Sequence, residues 1–209
     1  MDKNLDILVK GAAELGAGLD GLAVERFELY LSLIVKWNIK INLTAVDEPR
    51  EIVIKHFLDS LIVCRALPEG PFAAADIGSG AGFPGMPVKL ARPDMEITLV
   101  EPARKKAVFL RQAARELGLA GVTVSEDKVE EFAGKQAGRF DVVISRAFRD
   151  PDRLLPLAGP LLSPDGRIVL ALGPEWPGVP PPGWMVASME TVALPFSDIT
   201  RRLVVLARG

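Results

Sequence analysis

The feature that most constrains the fold is an alternation of short apolar runs with helical stretches, which begins after a turn cluster at residues 67–71. Five such runs occur, at residues 72–77, 97–100, 122–124, 142–144 and 168–172. Strands that alternate with helices along a chain form a parallel sheet with helices on both faces. The sequence therefore predicts a doubly wound, mostly parallel α/β sheet. Two later runs, at residues 184–187 and 203–206, predict additional edge strands.

The first third of the chain has a helical pattern instead. Apolar side chains recur at helical spacing in residues 20–40, which predicts a helix there. Further helices are predicted at residues 49–66 and near residues 5–15. We therefore expect two parts, in which residues 1–67 form a helical extension packed on the core and residues 68–209 form the core itself.

The composition limits the possible classes of protein. The chain has 209 residues and a formal net charge of -2, so any contact with nucleic acid must come from a local basic patch. The single cysteine, Cys64, excludes a disulfide framework and a four-cysteine zinc site. No stretch reaches the roughly 20 apolar residues of a membrane helix, and the N-terminal residues lack a secretory pattern. We expect a soluble, cytoplasmic monomer without a metal.

A glycine-rich segment at residues 76–85 carries the chemistry. It follows the first predicted strand, and ligands of open α/β sheets bind at the carboxyl ends of strands. The pattern from Asp76 to Gly82 is D-x-G-x-G-x-G, Phe83 stands where a dinucleotide fingerprint has its third glycine, and no G-K-[ST] follows. Glycines allow a positive φ and let a ligand approach the backbone. A nucleoside cofactor is the favoured ligand, and a tight turn without a ligand is the alternative.

An acidic residue at the end of the second predicted strand supports a nucleoside site. Glu101 lies about twenty residues beyond the glycines, where a carboxylate can accept hydrogen bonds from both hydroxyl groups of an adenosine ribose. Taken alone, Glu101 is also explained as a solvated surface residue. Together with the glycine pattern, it predicts a cofactor site at this edge of the sheet.

Four further segments make the chain resemble one family. They are W-N-I-K-I-N-L-T-A at residues 37–45, H-F-L-D-S-L at 56–61, G-F-P-G at 82–85 and S-R-A-F at 145–148. Together they resemble the small-subunit (16S) ribosomal RNA guanine-N7 methyltransferase family, also called glucose-inhibited division protein B. The resemblance implies a class I methyltransferase fold and S-adenosylmethionine as the cofactor. It also implies a guanine in the decoding-region loop of 16S ribosomal RNA, free or in the small ribosomal subunit, as the substrate.

The glycine pattern and the resemblance together select the residues of the site. The cofactor-binding residues are expected to be Asp76, Gly78, Gly80, Gly82, Phe83, Glu101, Pro102, Ala103, Val129, Glu130 and Arg146. The candidate contacts to substrate are His56, Asp59, Ser60 and Arg149. His56 is equally explained as a hydrogen-bonded residue of a packed helix. Leu172 stands where family members commonly carry a lysine, and if that lysine helps to hold RNA, this protein must use another residue or bind RNA more weakly.

The expected chemistry requires no catalytic dyad or triad. Guanine N7 has a free lone pair and no proton to lose, so transfer of an activated methyl group depends on positioning and not on a general base. Arg146 is the best candidate for a positioning residue. Three alternatives remain open from the sequence: a class I methyltransferase for a small molecule, a non-enzymatic cofactor-binding protein of ribosome assembly, and a nicotinamide oxidoreductase, which Phe83 disfavours.

Overall fold

A computed structural model of the chain describes residues 3–146, 151–176 and 178–209. Seven strands form one sheet in the order β3-β2-β1-β4-β5-β7-β6. The strands are β1 (Ala73–Ile77), β2 (Glu96–Val100), β3 (Val122–Ser125), β4 (Phe140–Ser145), β5 (Leu162–Leu172), β6 (Trp184–Ala193) and β7 (Thr200–Arg208). Strands β1 to β5 run parallel, and β7 pairs antiparallel with β5 and β6. The predicted doubly wound, mostly parallel sheet is confirmed.

The position of β7 differs from the prediction. β6 lies at the edge of the sheet, but β7 is an internal strand, since Leu203 is paired with Ala171 on one side and with Glu190 on the other. The four residues from Leu203 to Leu206 are all buried. A continuous apolar run of this kind is typical of a strand that is covered on both faces and flanked on both sides.

The N-terminal helices confirm the predicted positions. They are α1 (Lys3–Glu14), α2 (Gly21–Ile41) and a continuous helical run composed of α3 (Pro49–Ile52), a π-helical segment (Val53–Leu58), α4 (Asp59–Leu61) and a 3-10 segment (Ile62–Ala66). The Asp20 carboxylate caps α2 by accepting a hydrogen bond from the Ala23 N–H at 2.7 Å. Asn42, the C-cap of α2, has a left-handed backbone conformation, and Asn38 Oδ1 accepts from the Thr44 N–H at 2.9 Å.

Helices cover both faces of the sheet. They are α5 (Gly85–Ala91), α6 (Arg104–Glu116), α7 (Val129–Lys135) and α8 (Pro151–Ala158). One hydrophobic cluster joins α5, α6 and the N-terminal helices to one face, and a second cluster joins α7 and α8 to the other. Phe27 and Phe57 therefore share a core with Leu99 of β2. The division of the chain at residue 67 stays a prediction.

The carboxyl ends of β1, β2, β4 and β5 meet at one edge of the sheet, and the loops there form the candidate site. Within the described residues, no helix is long and apolar enough to cross a membrane. The same part of the chain contains no group of three histidine, cysteine or acidic side chains placed to hold a metal ion.

Candidate active site

The loop between β1 and α5, here named the glycine loop (residues 78–84), bends sharply over the end of β2. The backbone N–H groups of Gly78 and Ser79 both donate to the Val100 carbonyl, at 2.9 and 3.1 Å. Gly80 has a φ of 60°, which residues with a side chain rarely adopt. Among the described residues, a Cβ at Gly80 would approach only the Gly78 carbonyl, at 4.0 Å. The outer part of the glycine loop therefore presents bare backbone to open space.

Glu101 meets the glycine loop directly. Its Oε2 accepts a hydrogen bond from the Gly80 N–H at 2.8 Å, and its Oε1 accepts one from the Ala103 N–H at 2.8 Å. A carboxylate offers about four lone-pair sites, so about two remain for other donors. A ribose supplies two hydroxyl donors. The carboxylate and the bare loop together fit the ribose of a nucleoside.

The inner part of the glycine loop packs against α2. Gly82 has a φ of 98°, and a Cβ there would lie 2.5 Å from Tyr30 Oη and 2.6 Å from Met86 Cγ. Tyr30 is fully buried, and its hydroxyl donates to the Ala81 carbonyl at 2.5 Å. Gly82, predicted to contact the cofactor, instead makes room for Tyr30. This glycine is required by internal packing and not by the approach of a ligand.

Asp76, also predicted to contact the cofactor, is fully buried at the end of β1. Its Oδ2 accepts from the Gly85 N–H at 3.0 Å and so fixes the start of α5. Burial raises the pKa of Asp76 to about 7. Oδ1 has no hydrogen-bond partner in the described part of the chain, which fits a carboxyl group that is partly protonated at neutral pH. Asp76 therefore shapes the glycine loop from inside.

Phe83 is the platform for two polar side chains of the site. The His56 ring lies 4.5 Å from the Phe83 ring with an interplanar angle of 19°. The Arg146 guanidinium lies 5.1 Å from the centroid of the same ring, where the ring quadrupole attracts a cation. Phe83 thus brings a residue of the N-terminal helical run together with a residue that follows β4.

His56 is held between two hydrogen bonds. Its Nδ1 lies 3.1 Å from Arg146 Nη2, and its Nε2 lies 2.7 Å from Thr44 Oγ1. Arginine can only donate, so Nδ1 accepts and Nε2–H donates to the threonine oxygen. Burial, assisted by the charge of Arg146, lowers the pKa of His56 to about 4. At physiological pH, His56 is therefore a neutral residue whose free lone pair is already used.

A buried carboxylate joins distant parts of the chain. The side chain of Asp59 is 1% exposed. Its Oδ2 accepts from Arg146 Nη1 at 3.1 Å, and its Oδ1 accepts from Arg201 Nε at 2.7 Å. Both oxygens accept from arginines, so Asp59 holds Arg146 and Arg201 in place, and its predicted contact with substrate stays a prediction. Arg201 was not predicted, because it stands in a strand with no recognisable motif.

Two cavities open at this edge of the sheet, and His56 and Arg146, here named the central wall, line both. The loop cavity is the smaller, at about 190 Å³, and is lined by the glycine loop with Leu43 and Thr44. The distal cavity is the larger, at about 650 Å³. Besides the central wall, its lining residues are Lys55, Asp59 and Arg201, with Ala171, Leu172, Gly173, Glu175 and Trp176 at and just beyond the end of β5.

Comparison with known proteins decides the family. A family model described as rRNA small subunit methyltransferase G matches residues 23–175. A ribosomal RNA small subunit methyltransferase G of Geobacter metallireducens is 40% identical over 97% of this chain and 96% of its own length. The chain belongs to the rRNA small subunit methyltransferase G family. The predicted family resemblance is confirmed.

Solved structures agree with a class I methyltransferase fold for this family member. TrmN from Thermus thermophilus has a TM-score of 0.57 at 16% identity, over 75% of this chain and about half, 53%, of its own. The 1,6-didemethyltoxoflavin-N1-methyltransferase of Burkholderia thailandensis has a TM-score of 0.53 at 19% identity, over 72% of this chain and 76% of its own. At such identities the likeness concerns the fold alone, and it confirms the predicted fold class.

The remaining predicted cofactor residues lie at the same edge of the sheet. Pro102 and Ala103 are exposed where α6 begins. Val129 is half-buried and Glu130 is exposed at the start of α7, after β3. Their positions are those expected for contacts to the ribose and the adenine, and their roles stay predictions.

The predicted substrate contacts have different outcomes. His56 lines both cavities, and Arg149 lies outside the described residues. Ser60 is fully buried, and its hydroxyl donates to the His56 carbonyl at 2.5 Å, so its expected contact with substrate is corrected to a bond within the helix. Leu172, in the place of the expected lysine, is 4% exposed and belongs to the core under α8. Arg201 supplies a positive charge to the distal cavity, which Leu172 also lines.

Proposed function

We propose that the chain transfers the methyl group of S-adenosylmethionine to N7 of one guanine in the decoding-region loop of 16S ribosomal RNA. Membership of the methyltransferase G family supports the substrate class. The observation that carries the proposal is the 2.8 Å hydrogen bond from the Gly80 N–H to Glu101 Oε2. It joins the loop and the carboxylate that must hold one nucleoside, beside a second cavity for the acceptor.

The residues present fit this cofactor. Gly78 and Gly80 have positive φ values, 75° and 60°, and expose backbone without a side chain, and Glu101 keeps lone pairs for the ribose hydroxyl groups. Val129 and Glu130, at the start of α7 after β3, are the residues that we propose contact the adenine. When bound, S-adenosylmethionine supplies a methyl group already activated by a positively charged sulfur.

The residues of the chain itself have the task of positioning the guanine. His56 cannot act as a general base, because Nδ1 accepts from Arg146 and its pKa is about 4. The acceptor N7 needs none, since it has no proton to lose. Arg146 is held by Asp59 and His56 between the two cavities, where it can orient a base toward the loop cavity. The contribution to rate then comes from alignment of the acceptor with the methyl group.

The experiment is incubation of the protein with methyl-labelled S-adenosylmethionine and small ribosomal subunits that lack the modification. We expect label in one guanine of 16S ribosomal RNA, at N7. Label only in small molecules would favour a small-molecule methyltransferase. Cofactor binding without any transfer would favour a non-enzymatic protein of ribosome assembly. Naked RNA as a parallel substrate distinguishes the two forms of the acceptor.

Three related expectations belong to this proposal. The chain acts as a monomer, it works in the cytoplasm, and residues 1–67 form an extension packed on the core. Light scattering of the purified protein tests the first, and cell fractionation tests the second. Expression of residues 68–209 alone tests the third, since loss of the shared core around Phe57 should leave that piece insoluble.

A further inference from the structure

The distal cavity combines cations with a carboxylate and an indole. We propose that this cavity receives the target guanine, that the carboxylate of Glu175 accepts hydrogen bonds from guanine N1–H and from the 2-amino group, and that Trp176 stacks on the base. The inference rests on the proposed function and names the residues that select guanine. Nothing in the sequence motifs pointed to either residue.

The order of the strands determines which side of the distal cavity faces the loop cavity and which side faces the end of β5. Arg146 follows β4, Glu175 follows β5 and Arg201 stands at the start of antiparallel β7, so three adjacent strands present them at one edge. The loop cavity lies beyond the central wall, on the side of β1. A base in the distal cavity therefore has one edge toward the cofactor and the opposite edge toward the end of β5.

The hydrogen-bonding groups on the edges of guanine fit this orientation of a base in the distal cavity. N7 and O6 are acceptors on one edge of the base, and the 2-amino group is a donor on another. With N7 turned toward the loop cavity, O6 lies near the arginines, and N1–H and the 2-amino group face Glu175. Enzymes that modify a base take it out of the stack, hydrogen-bond its Watson–Crick edge and stack it on side chains.

Glu175 is available for this role. Its side chain folds back over Gly173, where a Cβ would collide with the carboxylate. Within the described residues, Glu175 has no hydrogen-bond or ion-pair partner, so its acceptor capacity is unused. A hydrogen bond to an ionised group is stronger than a neutral one. The carboxylate is therefore a suitable partner for two neighbouring N–H donors.

Trp176 is held in place by its own backbone. Its N–H donates to the Gly173 carbonyl at 3.4 Å, and its carbonyl accepts from Arg202 Nη1. Arg202 is paired with Leu172 across β5 and β7, so the backbone of Trp176 is tied to the sheet, and its side chain packs against the second hydrophobic cluster. The ring is half-buried and lines the distal cavity. A stacking partner fixed in advance loses little conformational entropy when the base binds.

The same arrangement disfavours adenine. Adenine has an unprotonated N1, which would place a lone pair against the Glu175 carboxylate, and it lacks the 2-amino donor. A site built to hydrogen-bond a particular donor rejects the analogue that lacks it, because the partner is left unpaired. Glu175 thus accounts for selection of guanine between two purines whose N7 atoms are both nucleophilic.

The test uses small subunits that carry either guanine or adenine at the position mapped by the labelling experiment. We expect Glu175→Gln to lower kcat/KM on the guanine substrate by about 10–100-fold, the range for loss of charged hydrogen bonds. The guanine-to-adenine ratio of kcat/KM should also fall, because an amide can pair with the adenine edge. Glu175→Asp should keep the preference for guanine. Glu69→Gln, an exposed residue at the opposite edge of the sheet, is the matched control and should change kcat/KM by less than about twofold.

Titration calorimetry with S-adenosylmethionine completes the test, since Glu175→Gln should bind the cofactor as the unchanged protein does. A variant with unaltered kcat/KM and unaltered base preference would overturn the inference and leave the proposed function standing. A fall in activity at constant base preference, accompanied by weaker cofactor binding, would assign Glu175 a structural role and also overturn it. Absence of methylation by the unchanged protein would instead refute the proposed function.

Discussion

The loop cavity and the distal cavity share His56 and Arg146, but they are built from different interactions. On the loop side, backbone N–H groups meet acceptors nearby in sequence, as Gly80 meets Glu101 only 21 positions away. On the distal side, charged side chains meet across the whole chain, as Arg201 meets Asp59 over 142 positions. One half of the site is therefore defined by backbone shape and the other by charge.

The largest effect on stability is expected from a substitution in the half of the site that is defined by charge. Asp59→Asn should lower the free energy of unfolding by about 3–5 kcal/mol, because two arginines lose their shared, buried carboxylate. Chemical denaturation measures this change. The control is Glu190→Gln, which removes the exposed 2.8 Å pair with Arg65 and should cost at most about 1 kcal/mol. Equal effects of the two substitutions would remove the distinction between the buried and the exposed ion pairs.

The two glycines of the loop sharpen the contrast within the backbone-defined half. Gly82→Ala should destabilise the fold by about 2–4 kcal/mol, since it combines backbone strain with a clash against Tyr30. A Cβ at Gly80 has no close neighbour in the described part of the chain, so Gly80→Ala should cost only about 1–2 kcal/mol of unfolding free energy. Its main effect should be weaker binding of S-adenosylmethionine. Thermal unfolding and calorimetry separate the two outcomes, and similar stability losses would contradict the assignment of Gly82 to packing.

Substitution of Glu101, the carboxylate on the loop side, should weaken cofactor binding more than it lowers the stability of the fold. Glu101→Gln should weaken binding of S-adenosylmethionine by about 10–100-fold, because a charged acceptor for the ribose and for two backbone N–H groups becomes a neutral amide. Equilibrium binding measures this change. Glu96→Gln, at the other end of β2, is the control and should bind the cofactor normally. Unchanged affinity in the Glu101 variant would contradict the nucleoside site.

The smallest expected effect is a change in the slope of stability with pH. The pKa of Asp76 is raised to about 7 from 3.8, so between these values the folded state holds more protons and stability falls as pH rises. The pKa of His56 is lowered to about 4 from 6.5, so between these values the unfolded state holds more protons and stability rises with pH. The two contributions oppose each other in the unchanged protein.

Substitution of either residue should reveal the contribution of the other residue to the pH dependence of stability. Relative to the unchanged protein, Asp76→Asn should make stability rise more steeply from pH 4.5 to 6, by up to about 1.4 kcal/mol per pH unit. His56→Gln should change the slope in the opposite direction. Denaturant unfolding at several pH values measures both slopes, and parallel curves for the two variants would refute the assigned protonation states.

The backbone-defined half could be predicted from the sequence because its requirements are local. Glycines that need a positive φ, and an acidic residue at the end of the next strand, leave a pattern that spans residues 76–101. The strands and helices could be predicted for the same reason, because each leaves a pattern within a short stretch of sequence. The pattern could not show that Gly82 faces Tyr30, since that contact depends on how α2 packs on the glycine loop.

The charge-defined half could not be predicted in the same way. Arg201 becomes part of the site only because β7 adds antiparallel to β5, between β5 and the edge strand β6, and a short apolar run does not specify its neighbours. Asp59 was expected to meet substrate, but its two arginine partners come from β7 and from the segment after β4. Glu175 and Trp176 lie in a segment with turn residues and no periodicity, where side-chain direction is set by the strand that precedes it.

The internal position of β7 has a consequence for the order of folding. Contacts between residues far apart in sequence form late, because the loop between them must first be closed. The parallel strands, the glycine loop and Glu101 can assemble from a contiguous stretch of chain, whereas Asp59 acquires Arg201 only once β7 has docked. A partly folded molecule of this kind would hold the nucleoside but have no finished place for the base, so ability to bind the methyl donor should appear before ability to use it.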